Sequence, residues 1–211
     1  MNAVLVDTKT RILEAAEKLF GSKGFDATSL RDITAEAEVN LAAVNYHFQT
    51  KDSLIDAVIA RRIDPINRRR LALLAAAGEK PTIEQLVEAF VAPVVEQDAP
   101  PMLAMMGRAM ANPDLFLPRI FKSHLREVAD RFGAAFERAA PELSAAERMW
   151  RLMFMAGSMA HVLSWGHIVG AMTDGVCDAS DRKDVTARLV RFVAAGFRAP
   201  ESDGAVMRAK S

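Results

Sequence analysis

Apolar residues recur at helical spacing along almost the whole chain, and nowhere do β-branched residues alternate in the rhythm of a half-buried strand. Ile12, Ala15, Ala16, Leu19 and Phe20 make the first stripe, which follows Asp7 and stops near Gly24, a residue suited to the turn after a helix. A second helix opens at Thr28-Ser29, with Asp32 three residues past Ser29 as a capping-box variant, and Leu30, Ile33 and Ala37 face inward. Glu38-Val39-Asn40 is a turn. A third helix then runs from Leu41 to about His47, with Asn40 as its N-cap and Val39 and Val44 placed as a hydrophobic staple. So short a helix is marginal alone and needs neighbours to hold it. Thr50 caps a fourth helix, which passes through Arg61-Arg62 and Arg68-Arg69-Arg70; Pro65 is expected to kink it or end its first half.

After Gly78 and Pro81 the composition shifts. Thr82 and Gln85 form a capping box, and Ile83, Leu86, Val87, Phe90, Val91, Val94 and Val95 follow helical spacing. Pro93 and Pro100-Pro101 are expected to interrupt the chain. Met102 to Ala111 reads as a short Met-rich helix broken by Asn112-Pro113. Leu117, Phe121, Leu125, Val128, Phe132 and Phe136 line a long helix ending before Pro141, and Ser144 with Glu147 opens another. Met172 to Ser180 reads as a loop; Val185, Leu189, Phe192, Val193 and Phe197 line a last helix; the tail after Pro200 reads as disordered. The fold class is all-α.

At 211 residues and 51% hydrophobic content, the chain builds a substantial core in one or two domains. Its formal net charge is +0, so no overall polyelectrolyte signal for nucleic acid is present. Residues 1–52 carry six Lys/Arg against eight Asp/Glu. Phosphate contacts must therefore come from a few placed side chains and helix N-termini. The arginine runs have two readings: a solvated helix face, or a flank beside DNA backbone. The single cysteine, Cys177, permits no intramolecular disulfide and suits a reducing cytoplasm as an inert thiol. Met1 to Asp7 is too short and lacks the basic residues of a signal peptide. Leu152 to Thr173 has no charged residue and the length of a membrane span, but it holds several Gly, Ser and His and lacks basic flanks. A soluble core or an oligomer interface gives the same pattern, and no membrane partner is expected.

Three helices with a tight turn between the second and third make a helix-turn-helix unit. In residues 8–56 the ordered set Ile12-Leu13-Glu14-Ala15-Ala16, Leu19-Phe20, Gly24-Phe25, Thr28-Ser29, Ile33-Thr34, Val39 and Tyr46-His47-Phe48-Gln49-Thr50-Lys51 closely resembles the tetracycline-repressor (TetR) family of transcription regulators. Two departures matter. The family usually has Tyr where Asn45 stands, and often Ser-x-Gly-Thr where this chain has Asn40-Leu41-Ala42-Ala43. That variant resembles a fatty-acid-responsive (PsrA-like) branch controlling lipid metabolism and a sigma-factor gene, as do Asp64-Pro65 and Trp150–Met155. The resemblance implies a helix-turn-helix domain over 1–55, a connecting helix over about 50–77, a helical effector-binding and dimerisation domain over 78–200, and a tail over 201–211.

It also implies roles. Lys51, Tyr46 and His47, with Thr28 or Ser29 at the second helix's start, contact phosphates; Asn40 holds the third helix. Leu41, Ala42, Ala43 and Asn45 read bases: Leu and Ala against a thymine methyl, Asn against adenine. A helix-end cap is the alternative for Asn45, and Phe48 is core. The family pairs through its last two helices, here about 144–172 and 184–197, where Gly157, Ser158, Ala160 and Gly166 either permit close approach of a second copy or relieve internal crowding. Candidate effector contacts are Phe90, Met106, Met110, Phe121, Leu125, His161 and Trp165, with Arg108 and Arg151 as cations for a carboxylate.

The expected function is a transcription regulator of the cytoplasm. It acts as a homodimer on a palindromic double-stranded operator and is released by a small hydrophobic effector, a long-chain fatty acid or acyl-CoA. A drug-responsive regulator of an efflux gene is the alternative. An enzyme is the remote one: no phosphate loop, nucleophile elbow, dinucleotide fingerprint or metal constellation occurs in the sequence. No cofactor is expected.

Overall fold

The computed structural model describes residues 7–96 and 120–201. Among these no strand occurs. The helices are α1 (Thr8–Lys23), α2 (Leu30–Glu36), α3 (Leu41–Phe48), α4 (Lys51–Ala76), α5 (Ile83–Val95), α6 (Arg126–Ala139), α7 (Ala145–Trp165), α8 (Val169–Met172) and α9 (Arg182–Arg198). A π-helical turn, Phe121–Leu125, leads into α6, and a 3₁₀ turn, Gly166–Ile168, separates α7 from α8. The expected Met-rich helix at 102–111 and the tail beyond Glu201 lie outside the described residues.

The caps follow the chain's short-range chemistry. Asp7 accepts from the Thr10 amide, and Gly24 closes α1 with φ 90°. Ser29 and Asp32 form a reciprocal capping box on α2, as Thr82 and Gln85 do on α5. The Asn40 side chain accepts from the Ala43 amide at 2.8 Å, and Thr50 Oγ1 from the Ser53 amide at 3.0 Å. Ser144 accepts from the Glu147 amide.

The packing forms two units, Met1–Ile66 with Asp98–Arg126, and Asn67–Gln97 with Glu127–Ser211. The division falls inside α4 after Ile66, whereas composition places it after residue 77. In the first unit Ile12, Ala16 and Phe20 of α1 close on Ile33 of α2, Val44 and Phe48 of α3, and Leu54 and Val58 of α4. Burying Val44 and Phe48 is worth about 3–6 kcal/mol, enough to hold a helix that nucleation alone disfavours. Arg11 adds a clamp, donating from Nη2 to the carbonyls of Ala37 (2.6 Å) and Glu38 (3.1 Å) where α2 ends. In the second unit Leu86, Val87 and Val91 of α5 pack with Phe132 and Phe136 of α6 and Leu189, Val193 and Phe197 of α9. The Phe136 and Phe197 rings stack at 4.6 Å.

Several expectations are corrected. Pro93 does not interrupt α5, and of the two expectations for Pro65 an end is excluded: α4 and α5 run through their prolines. A proline removes one amide donor, and in α4 the buried face Ile59, Ile63, Ile66 continues across it. The arginine runs are not a uniform solvated face. Arg61 pairs with Glu14 and Arg62 with Glu17 in the first unit; in the second Arg69 pairs with Glu96 and Arg70 is buried. Phe192 points away from its own core, 70% exposed, and Phe121 is also exposed. The segment Ala145–Met172 is long and apolar enough to cross a membrane, yet little of its apolar stretch is buried in its own chain. It is not an internal core helix.

Candidate nucleic-acid interface

Helix α3 divides cleanly by face. Val44 and Phe48 are sealed in the core, while Ala42 and Asn45 are exposed, Leu41 is 44% exposed and Tyr46 83%. Ala43 is half-buried and packs partly against the core. The Asn45 amide makes no side-chain hydrogen bond among the described residues, so the helix-end cap does not engage it; the Gln49 amide bonds instead to the Asn45 backbone carbonyl at 3.0 Å. The Tyr46 ring meets His47 edge-on, with centroids 5.0 Å apart. Lys51 Nζ lies 3.4 Å from the Asp26 carbonyl, a contact weak enough to exchange for a phosphate. Leu41, Ala42, Asn45 and Tyr46 therefore share the exposed face of α3, with His47 half-buried at its flank.

Thr28 and Ser29 do not present free donors to that surface. Thr28 is fully buried, and its hydroxyl donates to the Gly24 carbonyl at 2.7 Å. The Ser29 hydroxyl donates to Asp32 Oδ2 at 2.7 Å and accepts from the Asp32 amide. The Ser29 hydroxyl and the Ser29 amide, both donating to Asp32 Oδ2, hold the Asp32 carboxyl below its ordinary pKa, so the start of α2 already carries an anion. Asn40 likewise uses its side-chain oxygen as a cap.

The effector candidates are spread over both units. Leu125 packs on the first unit's core, and Phe121 is exposed. Met106, Arg108 and Met110 lie outside the described residues. In the second unit Phe90 meets Phe132 edge-on at 5.3 Å. His161 and Trp165 stack at 5.8 Å and, with Met172, Arg188 and Phe192, line an open hollow of about 860 Å³. Arg151 is corrected. It is buried, and its guanidinium donates to the carbonyls of Gly196 (2.9 Å), Phe197 (2.8 Å) and Ala199 (2.8 Å) and to Glu147 (2.8 Å). It fastens the end of α9 and has nothing left for a ligand.

Two features were not legible in the sequence. One is which large side chains of the last two helices stay in solvent: Trp150 is 59% exposed, Phe154 63% and Phe192 70%. Nothing lies within 4 Å of where a Gly157 side chain would stand, so internal crowding does not explain that glycine. The other is Arg70, for which only the spacing from Ile63, Ile66 and Leu74 signals the buried face of α4.

Residues 12–58 match the family described as "Bacterial regulatory proteins, tetR family", and residues 88–196 match "Tetracyclin repressor-like, C-terminal domain". The chain belongs to the TetR family. This is a family of DNA-binding regulators, not of enzymes. Relatives include the probable HTH-type transcriptional regulator YttP of Bacillus subtilis, 32% identical over 83 residues (39% of this chain, 40% of YttP). The HTH-type transcriptional repressor Rv3405c of Mycobacterium tuberculosis is 39% identical over 77 residues, which is 36% of this chain and 39% of the relative. These matches span about two fifths of each relative's length. The TetR-family regulator SCO4454 of Streptomyces coelicolor shares the fold, with a TM-score of 0.61 at 22% identity over 90% of this chain and 94% of SCO4454. So does the fatty acid degradation regulator FadR of Bacillus halodurans, with a TM-score of 0.64 at 13% identity over 94% of this chain and all of FadR.

Proposed function

We propose that this TetR-family chain is a cytoplasmic repressor that binds a palindromic operator as a homodimer and lets go when a small hydrophobic effector binds. The observation that carries the reading is α3, which buries Val44 and Phe48 and turns Leu41, Ala42, Asn45 and Tyr46 to solvent. A short rod braced on one face and furnished with small side chains on the other fits a major groove. Lys51, Tyr46 and His47 contact phosphates; Leu41, Ala42, Ala43 and Asn45 meet base edges; Asn40 holds the helix start.

One such unit covers little DNA, and two are needed for a two-fold operator. The exposed Trp150, Phe154 and Phe192 supply the pairing face, since aromatic residues of this size in one patch mark an interaction surface. The second unit serves pairing and effector binding, and the first reads DNA. The Asn40–Phe48 variant supports a long acyl chain as effector, free or as its CoA thioester; the likeness to the Bacillus halodurans regulator is one of fold and does not choose between them.

Gel shifts with the DNA upstream of the chain's own gene test the proposal. A retarded band holding two chains per operator is expected, released by an acyl ligand. Release by no lipid removes the acyl reading and keeps the repressor; binding to no promoter fragment removes both.

A further inference from the structure

Arg70 differs from Arg61, Arg62 and Arg151, buried or half-buried arginines that each lie beside a glutamate. Arg70 is 5% exposed and pairs with no carboxylate among the described residues. Its Nε donates to the Phe90 carbonyl at 2.8 Å, and its guanidinium carbon lies 3.9 Å from the Phe90 ring centroid. The terminal nitrogens are held weakly: Nη1 reaches Asn67 Oδ1 at 3.4 Å and Nη2 the Met159 sulfur at 3.8 Å. Leu71, Leu74, Phe90 and Met159 belong to the surrounding apolar cluster. Burial pushes the guanidinium pKa down to about 10, which still leaves it fully charged near neutrality.

A buried cation without an anion is costly, and a ring face with one good hydrogen bond offsets only part of that cost. The contacts also have a direction. Phe90 occupies one face of the guanidinium and fixes Nε, so the edge left for a stronger partner is the Nη1–Nη2 fork. That fork matches the two oxygens of a carboxylate. The contacts it would exchange are a long hydrogen bond and a deformable methionine.

We propose that Arg70 reads the head group of the effector, and that the effector is an apolar molecule carrying one carboxylate. This rests on the reading of the second unit as an effector domain. It also narrows that reading: one buried positive charge is neutralised by a monoanion, whereas a CoA thioester lacks the free carboxylate and brings several phosphate charges. The free acid is the matched ligand.

Calorimetric titration of the purified full chain tests this with paired probes: dodecanoate against dodecan-1-ol, 2-naphthoate against 2-naphthamide, and dodecanoyl-CoA. At least one acid is expected to bind about tenfold or more tightly than its neutral twin, the scale of a charge-assisted hydrogen bond, and dodecanoate more tightly than its thioester. In Arg70→Met the acid and its twin come within threefold of one another; Arg70→Lys, which keeps charge but not the fork, falls between. The wild-type comparison needs no variant to fold. The assignment is overturned if every acid and twin bind alike, if no probe binds, if the thioester matches the acid, or if the preference survives in Arg70→Met. The two readings fail separately. Equal binding within both pairs, with dodecanoate and dodecan-1-ol both bound, keeps the acyl effector and removes Arg70, whereas a preference for naphthoate with no binding of any C12 probe keeps Arg70 and removes the acyl chain.

Discussion

Glu17 of α1 and Arg62 of α4 form a two-pronged ion pair in the first unit, with Nε 2.6 Å from Oε1 and Nη2 2.9 Å from Oε2. The partners are unequally placed: the Glu17 side chain is 5% exposed and that of Arg62 39%. Removing Arg62 strands a buried carboxylate, while removing the Glu17 charge leaves an arginine that can reach water. Arg62→Ala is therefore expected to cost about 2–4 kcal/mol and Glu17→Gln about 1–2 kcal/mol. Urea unfolding of both variants measures the difference; equal losses would show that the asymmetry of burial is irrelevant here.

Arg151 is expected to behave as a structural fastener. Arg151→Met removes the arginine donor from the carbonyls of Gly196, Phe197 and Ala199. A loss of about 2–4 kcal/mol follows. The drop in Tm is the same with and without a bound carboxylate, which separates this arginine from Arg70. A loss of ligand affinity at unchanged Tm would reverse the assignment.

On DNA, Lys51→Ala should weaken binding to all sequences alike and reduce the steepness of the salt dependence by about one counterion. Asn45→Ala should instead relax the preference at one base position, a change of about 1–3 kcal/mol at that position. Binding titrations at several salt concentrations, on a set of singly substituted operators, distinguish the two. Parent-like behaviour of both variants contradicts the placement of α3 in a groove.

The aromatic face of α7 and α9 gives a prediction about mass. Phe154→Arg with Phe192→Glu puts charges on side chains that are already largely in solvent within one chain. Helix content and core stability should hardly change, since exposed substitutions usually stay within about 0.5 kcal/mol. Sedimentation should show dimer turning to monomer, with operator affinity falling as two linked half-sites become one. A variant that stays dimeric places the pairing face elsewhere.

The sequence by itself determined what short-range chemistry controls. Asp7, Ser29, Asn40, Thr82 and Ser144 each sit three residues before the amide or side chain they engage, so the starts of α1, α2, α3, α5 and α7 could be read from spacing. The core faces of α1 and α3 could be read for the same reason: one stripe, one partner. Only the tertiary structure decided what depends on residues far away in the chain. Arg70 reads like its neighbours Arg68 and Arg69 until Phe90, twenty positions on, closes over it. Arg151 looks available for a ligand until the end of α9, more than forty positions on, takes its donors. Thr28 reads as an exposed cap until the carbonyls of Leu19 and Gly24 claim its hydroxyl. Phe192 continues the apolar stripe of α9, but α5, α6 and α7 use only part of that helix's circumference. A helix displays all its faces to the reader of a sequence, and packing alone chooses which of them meets water.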